Sequence, residues 1–440
     1  MVHVWLVTVM FHHFPRPMAT ALQGNQHDDG SRLVSRATPR ISANVRPDRP
    51  RLPRDVKVML AAAFLIALGF GLVAPVLPQF ATTFDVGATA AAVIVSIFAF
   101  MRLVFAPAGG ALIGRLGERP VYVSGLLIVA VSTAACAFAQ NYWQLLVFRG
   151  LGGVGSVMFT VASMALVVRL APPESRGRVS GAYASAFLVG SVLGPVVGGL
   201  LAGFGLRVPF LCYAAALVLA AIVVQTQLSH TPSSARSAGD RGPAMRFADA
   251  LGVGAYRSVL VSSFANGWAT FGVRMATVPL FAVAALGAGP QTAGLALAVF
   301  AGGNAAALTF SGRLADSLGR KPLMIAGLLL AGLATAAIGF TSELGWFLVA
   351  SAVAGAGSGL LGPAQQAAVA DVIGNERSGG KVLAAYQMTT DVGAIAGPVL
   401  VGIVADRLGY GWAFGVTGGV LVVAAACWSV TREPMKRNRA

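Results

Sequence analysis

Twelve long apolar runs, six on either side of a polar interruption, constrain this chain more than any other feature of it. They fall at about 57–80, 88–113, 120–139, 142–168, 178–203 and 207–227, then at about 257–285, 291–314, 322–341, 344–371, 381–405 and 411–430. We number them spans 1 to 12. A bilayer core of ~30 Å takes ~20 mainly apolar residues in helical form, and each run reaches that length. Charged residues make up 11% of the chain, less than half of the roughly 25% found in soluble domains. Lipid is therefore the solvent the fold must satisfy. An all-α membrane protein follows, because a spanning helix satisfies its own backbone hydrogen bonds.

The polar segments set the organisation. Residues 1–56, rich in Arg and Pro, read as a disordered N-terminal extension. Residues 57–227 form a first six-helix half, 228–256 a solvated linker bearing the tract from Ser229 to Arg236, 257–430 a second half, and 431–440 a tail. The opening MVHVWLVTVMF is too short to span and lacks the basic flank of a signal peptide; Met18 is an alternative start.

The formal net charge of +16 would ordinarily raise nucleic acid as a partner. Its placement argues otherwise. With the N-terminus in the cytoplasm, 27 of the 32 basic residues fall in cytoplasmic segments, against Arg207 and Arg407 on the other side. Arg102, Arg149 and Arg274 lie within spans. Basic residues mark the cytoplasmic flanks of membrane helices, so both termini are expected there and no nucleic-acid partner is needed. The excess of Arg over Lys, with abundant Ala, Gly and Val, points to a high-GC bacterial genome and its inner (plasma) membrane.

The halves repeat. Gly110-Ala111-Leu112-Ile113-Gly114-Arg115-Leu116-Gly117-Glu118-Arg119-Pro120 matches Gly312-Arg313-Leu314-Ala315-Asp316-Ser317-Leu318-Gly319-Arg320-Lys321-Pro322 at an offset of 202. Gly190-x-x-x-Gly194-Pro195 in span 5 matches Gly393-x-x-x-Gly397-Pro398 in span 11 at an offset of 203, and Gly153-x-Gly155-Ser156 in span 4 matches Gly355-x-Gly357-Ser358 in span 10. Parallel six-helix repeats describe transporters with the substrate site between the halves. The two G-x-L-x-D-x-x-G-R-K-like loops resemble the hallmark of the major facilitator superfamily over about residues 57–430. Gly190-x-x-x-Gly194-Pro195-x-x-Gly198-Gly199 resembles the antiporter motif of its twelve-span drug:proton antiporters. Arg149-Gly150-x-Gly152-x-x-Gly155 is similar to the motif whose Arg is implicated in proton coupling. Gly71-x-x-x-Pro75-x-x-Pro78 also resembles the exporter pattern. Gly114 stands where the first loop usually carries Asp, whereas Asp316 keeps it, and span 1 has no acid from Ala61 to Ala74.

The Gly-rich faces of spans 5 and 11 are expected at the sliding seams between halves, with Gly198, Gly397 and Pro398 among them. The basic loops are expected to restrain spans 2 and 8. A charge at membrane depth is usually functional or paired. Asp391 lies ~15 Å and Arg102 ~16 Å from the basic ends of spans 11 and 2, and the resemblance implies that these spans face each other. Asp391 and Arg102 are thus expected to form or alternately break an ion pair, coupling a proton to rocking. The resemblance also implies that spans 1, 4, 7 and 10 line the cavity. Span 4 carries Arg149, Gly153, Ser156, Thr160 and Ser163 on one face, span 7 carries Asn266, Thr270 and Arg274 at four-residue spacing, and span 10 offers Ser358, Gln365 and Gln366. With Trp268, Phe148 and Phe159 as apolar contacts, these are the binding candidates. Three buried Arg against one Asp favour neutral, zwitterionic or anionic amphiphiles.

Catalysis finds no support. His3, His12, His13, His27 and His230 lie outside the spans, and Cys136, Cys212 and Cys427 are isolated in apolar runs, so no metal site or acid–base pair is expected. Gly374-x-x-x-x-Gly379 with Gly380-Lys381-Val382 lacks the order a phosphate loop requires. The expectation is a monomeric, cofactor-free transporter, not an enzyme, exporting small amphiphiles or drugs against protons. Its alternative is an importer of sugars or metabolites on the same fold.

Overall fold

The computed structural model describes residues 53–170, 176–228, 245–374 and 380–431. Among them every regular element is helical, and twelve helices are long and apolar enough to cross a membrane. Spans 1 to 6 run Arg54–Thr82, Ala88–Ile113, Glu118–Ala137, Tyr142–Val167, Gly181–Phe204 and Val208–Gln227. Spans 7 to 12 run Gly254–Ala284, Pro290–Ala315, Arg320–Ile338, Leu344–Ile373, Lys381–Leu408 and Tyr410–Val430. The expected extension falls outside the described residues up to position 52. The same holds for 229–244 of the linker and 432–440 of the tail. The described end of the linker holds a short helix, Phe247–Gly252.

Two spans depart from a plain α-helix. Span 1 breaks between Val73 and Leu77, where Pro75 lacks a backbone donor and Pro78 fits the first turn of the following piece. Span 7 passes through a π-helical segment, Gly267–Val273. At the repeated loops, Gly117 (φ +84°) and Gly319 (φ +91°) take a left-handed conformation that other residues rarely adopt. They end one helix and start the next within a single residue.

Each half packs by the same plan. Span 1 lies on spans 5 and 6, span 3 on 4 and 6, and span 4 on 2; likewise span 7 lies on 11 and 12, span 9 on 10 and 12, and span 10 on 8. The first half is filled around Tyr122, Leu126, Phe210, Tyr213 and Leu217, the second around Tyr256, Met324, Leu328, Leu361 and Trp428. The most extensive contacts between halves are span 2 with span 11 and span 5 with span 8.

The outer surface is apolar. Phe138, Trp143, Phe204, Phe340, Trp346 and Trp412 are exposed, all near span ends remote from the basic loops. Such a ring of aromatic side chains is what a membrane–water interface selects. We call this the far end, and the end bearing Arg115, Arg119, Arg313, Arg320 and Lys321 the basic end.

Candidate functional site

The halves meet at the far end. There the Gln79 side chain reaches the Pro279 carbonyl (3.4 Å), Ala88 and Thr89 donate to Asp406, and the Ser96 hydroxyl donates to the Ile395 carbonyl at 2.9 Å. Toward the basic end contact is lost. Val104 to Ala108 of span 2 are exposed one after another, which covers more than one helical turn. Exposure on every face means that no neighbour covers this stretch. Leu383, Gln387 and Met388 of span 11 and Phe310 of span 8 are exposed as well. The structure is therefore closed at the far end and open at the basic end.

On the second half, polar side chains of three spans converge. Thr270 donates to Asn266 Oδ1 (3.0 Å) and lies 3.3 Å from the Ser358 hydroxyl of span 10. Gln365 donates to the Ser262 hydroxyl and accepts from Tyr386 of span 11, both at 3.3 Å. Ser263 contacts Thr390 and donates to the Tyr386 carbonyl. Asn266, Thr270 and Ser358 thus form one group and Gln365 a second with Ser262 and Tyr386, while Gln366 is exposed. Ser262, Ser263, Tyr386 and Thr390 were not singled out from the sequence. The signal was available: Tyr386, Gln387, Thr389, Thr390 and Asp391 form a dense polar run inside span 11.

Trp268 is placed elsewhere. It is buried with Val273, Val401 and Ala413, against Gly393 and Gly397 of span 11. The expected polar face of span 4 also turns inward. Thr160 donates to the Ser156 carbonyl and Ser163 to the Thr160 carbonyl, so these hydroxyls are satisfied by their own helix. Phe159 packs on Tyr122 within the first half, and Phe148 on the same core.

Two buried guanidinium groups occupy related places. Arg149 is 6% exposed and stands 4.2 Å over the Phe98 ring of span 2; Arg274 is 4% exposed and stands 3.6 Å over the Phe300 ring of span 8. Phe98 and Phe300 are repeat mates at the offset of 202, and Gly153 and Gly355 abut their respective carbonyls. The Arg residues are not mates: one comes from span 4, the other from span 7. Arg149 Nε and Arg274 Nε and Nη1 have no hydrogen-bond partner. Neither residue has a carboxylate within 4.0 Å among the described residues. A ring face stands in for a carboxylate at each, an arrangement worth about 2 kcal/mol or more when desolvated.

Arg102 and Asp391 lie on the facing spans 2 and 11. Arg102 and Gln387 are the polar neighbours of the carboxylate, and Arg102 acts on it electrostatically without a direct ion pair.

The glycine and loop motifs sit differently from expectation. Gly190, Gly194 and Gly198 face span 1 of their own half: a Cβ on Gly194 would lie 2.6 Å from Gly71 Cα, and one on Gly198 2.7 Å from Leu72 Cα. Gly397 and Pro398 likewise face Trp268 and Gly272 of span 7. These stripes are therefore not the seams between halves. A repeat of four residues presents one helix face, and that face is taken by span 1 or 7. The seams use the next face, through Gly199 against Gln291 and Gly402 against Thr89. In the loops, Arg119 donates to the Gln225 carbonyl, and Lys321 to the Ser429 and Thr431 carbonyls at 2.7 Å. These repeat mates thus cap the C-termini of spans 6 and 12, where the helix dipole favours a cation. Arg320 pairs with Asp371 of span 10. Arg115 is exposed. Gly110, Gly114 and Asp316 are helical in backbone, and their side-chain surroundings lie outside the described residues. Gly312 meets open space.

A family profile described as Major Facilitator Superfamily matches residues 59–273 and 259–440. Multidrug resistance protein 2 of Bacillus subtilis is 27% identical over 412 residues, 87% of this chain and 96% of that protein. Quinolone resistance protein NorA of Staphylococcus aureus is 29% identical over 186 residues, 42% of this chain, and the match spans about half (48%) of its length. Among solved structures, a bacterial homologue of the human lysosomal transporter Spinster, described as inward-facing and occupied, superposes with a TM-score of 0.73. Identity there is 17%, covering 85% of this chain and 95% of the other. A POT family transporter in complex with a thioalcohol-conjugated peptide superposes at 0.70 with 12% identity, covering 85% and 95%.

Proposed function

We propose, from the premise that this chain belongs to the Major Facilitator Superfamily, that it is a proton-coupled exporter of small amphiphilic compounds working by alternating access. The observation that carries the reading is the near full-length relation to a multidrug resistance protein. The basic end is the cytoplasmic one by charge placement, with both termini on that side. The open face then loads substrate from the cytoplasm or the inner leaflet of a bacterial inner membrane, and the protein acts as a monomer without metal or cofactor.

Substrate binds along Asn266, Thr270, Ser358 and Gln365, with the exposed Gln366 as a secondary position. Arg274 and Arg149 supply buried positive charge unmatched by carboxylates, which supports neutral, zwitterionic or anionic substrates over lipophilic cations. Asp391 carries the proton. As a carboxylate it is drawn to Arg102; protonated it is not, and the basic ends of spans 2 and 11 are then free to reposition.

The test is uptake by proteoliposomes of known orientation against a panel of amphiphiles, with and without a pH gradient. Wild type should respond to the gradient, and Asp391→Asn should lose that response while still equilibrating substrate down its own gradient. Arg149→Ala should lose both. Gradient-driven transport by Asp391→Asn at the wild-type rate would sink the coupling assignment.

A further inference from the structure

Span 2 starts after Gly87, an N-cap residue with no side chain to satisfy the first backbone N–H groups of the helix. Its cap comes from the other half of the molecule. Asp406, near the far end of span 11, accepts from the Ala88 N–H through Oδ1 at 2.9 Å. Its Oδ2 accepts from the Thr89 N–H at 2.9 Å and from the Thr89 hydroxyl at 2.5 Å. Glycines make the fit possible: a Cβ on Gly87 would lie 3.1 Å from Oδ2, and one on Gly402 2.8 Å from Thr89 Cα.

The internal repeat supplies a control. At the second seam Gly199 stands on span 8 as Gly402 stands on span 2, with an added Cβ 3.1 Å from Gln291 Cα and from the Pro290 carbonyl. The offsets of 202 and 203 place Pro290 at the position of Ala88, and Gly203 at the position of Asp406. Proline has no N–H to give, and glycine has no carboxylate to receive it. The second seam thus lacks the acceptor and one of the two backbone donors, while Gln291, the mate of Thr89, keeps its N–H and holds its side-chain amide near Gly203. Packing alone does not require a carboxylate at either seam.

We propose that Asp406 is a proton-binding latch on the far end. Ionised, it holds spans 2 and 11 together through three hydrogen bonds and the favourable field of a helix N-terminus. A proton taken from far-side water forms the carboxyl O–H bond and removes the charge, and the seam is released. The side chain is exposed, so that water reaches it. The ionisable groups on the elements packed against it are few. Tyr410 of span 12 is in electrostatic contact with it, Asp85 lies in the turn before span 2, Arg407 follows it on its own helix, and the far end of span 7 from Ala276 to Ala284 has none. The sign is fixed by the contacts: they favour the carboxylate, so the shut seam is strongest at high pH and weakens as pH falls. The direction of its use rests on the antiport reading, in which external acid opens the external side.

The test needs no substrate. In a chain with Cys136, Cys212 and Cys427 replaced, spin labels at Arg207→Cys and Glu343→Cys report the far-end separation of the halves by pulsed dipolar spectroscopy. Wild type should stay shut from about pH 8 to about pH 5 and gain a longer-distance population only as pH falls toward and below about 4, the ordinary aspartate range. Asp406→Asn should raise the open-to-shut ratio roughly 5- to 30-fold at high pH and abolish the pH response. Thr89→Val, which keeps both backbone donors, should shift the ratio less and in the same direction. An Asp406→Asn chain that keeps the wild-type response, or that stays shut throughout, overturns the proposal, as does a wild type that ignores pH. Failure of the antiport reading shows differently: transport would ignore a pH gradient while the seam still responds.

Discussion

Arg149 and Arg274 are buried charges with no carboxylate within 4.0 Å among the described residues. Removing two charges from water is costly, and replacing buried ions by apolar side chains of similar volume is often neutral or stabilising by ~1–4 kcal/mol. Arg274→Met should therefore hold or raise the melting temperature in detergent while transport falls at least tenfold. A drop in both would mean that the guanidinium is structural. The sequence revealed that these residues lie in spans, but not that they stand over repeat-related Phe rings, because no local spacing encodes a contact between spans 7 and 8. Gly71 shows the opposite case. Its backbone approach to Gly194 leaves no room for a methyl, since a Cβ would lie 2.7 Å from Gly194 Cα. Gly71→Ala should cost about 1–3 kcal/mol by overpacking, read as a lowered melting temperature.

At the level of elements, the helices were legible because twelve apolar runs have only one solution in lipid. Their detailed faces were less so. Asn266, Thr270 and Arg274 share a face at four-residue spacing only in an α-helix. The π segment from Gly267 to Val273 lengthens the turn, and Arg274 turns to span 8 while Thr270 meets span 10. The glycine stripes were correctly located in spans 5 and 11 but assigned to the wrong neighbour, since small residues announce close approach without naming the partner. The loop cations have a role that spacing could not show, because their acceptors lie 106 to 110 residues away. Lys321→Met should loosen the end of span 12, with amide exchange rising at Ser429 to Thr431 and little change elsewhere. A stability loss of ~0.3–1 kcal/mol is expected from the dipole contribution.

For the whole molecule, the doubled architecture was readable from the repeat, but its state was not, because neither the apolar runs nor the repeat says which end is open. The structure holds the one open at the basic end. Single cysteines test this in proteoliposomes. Phe105→Cys and Met388→Cys should react quickly with a membrane-impermeant thiol reagent offered from the basic side, and Ser96→Cys should be protected. Equal labelling of all three would contradict the closure at the far end. The two seams that make that closure are unlike, and this carries a mechanical consequence. Spans 5 and 8 touch through glycine and main chain, a contact that can pivot without breaking a charged bond. Spans 2 and 11 are clasped by a carboxylate. The far end is thus a door with its hinge on one jamb and its catch on the other. For an exporter as proposed, such a door would discharge to one side, beside span 2 at the edge of the bilayer, instead of along the central axis.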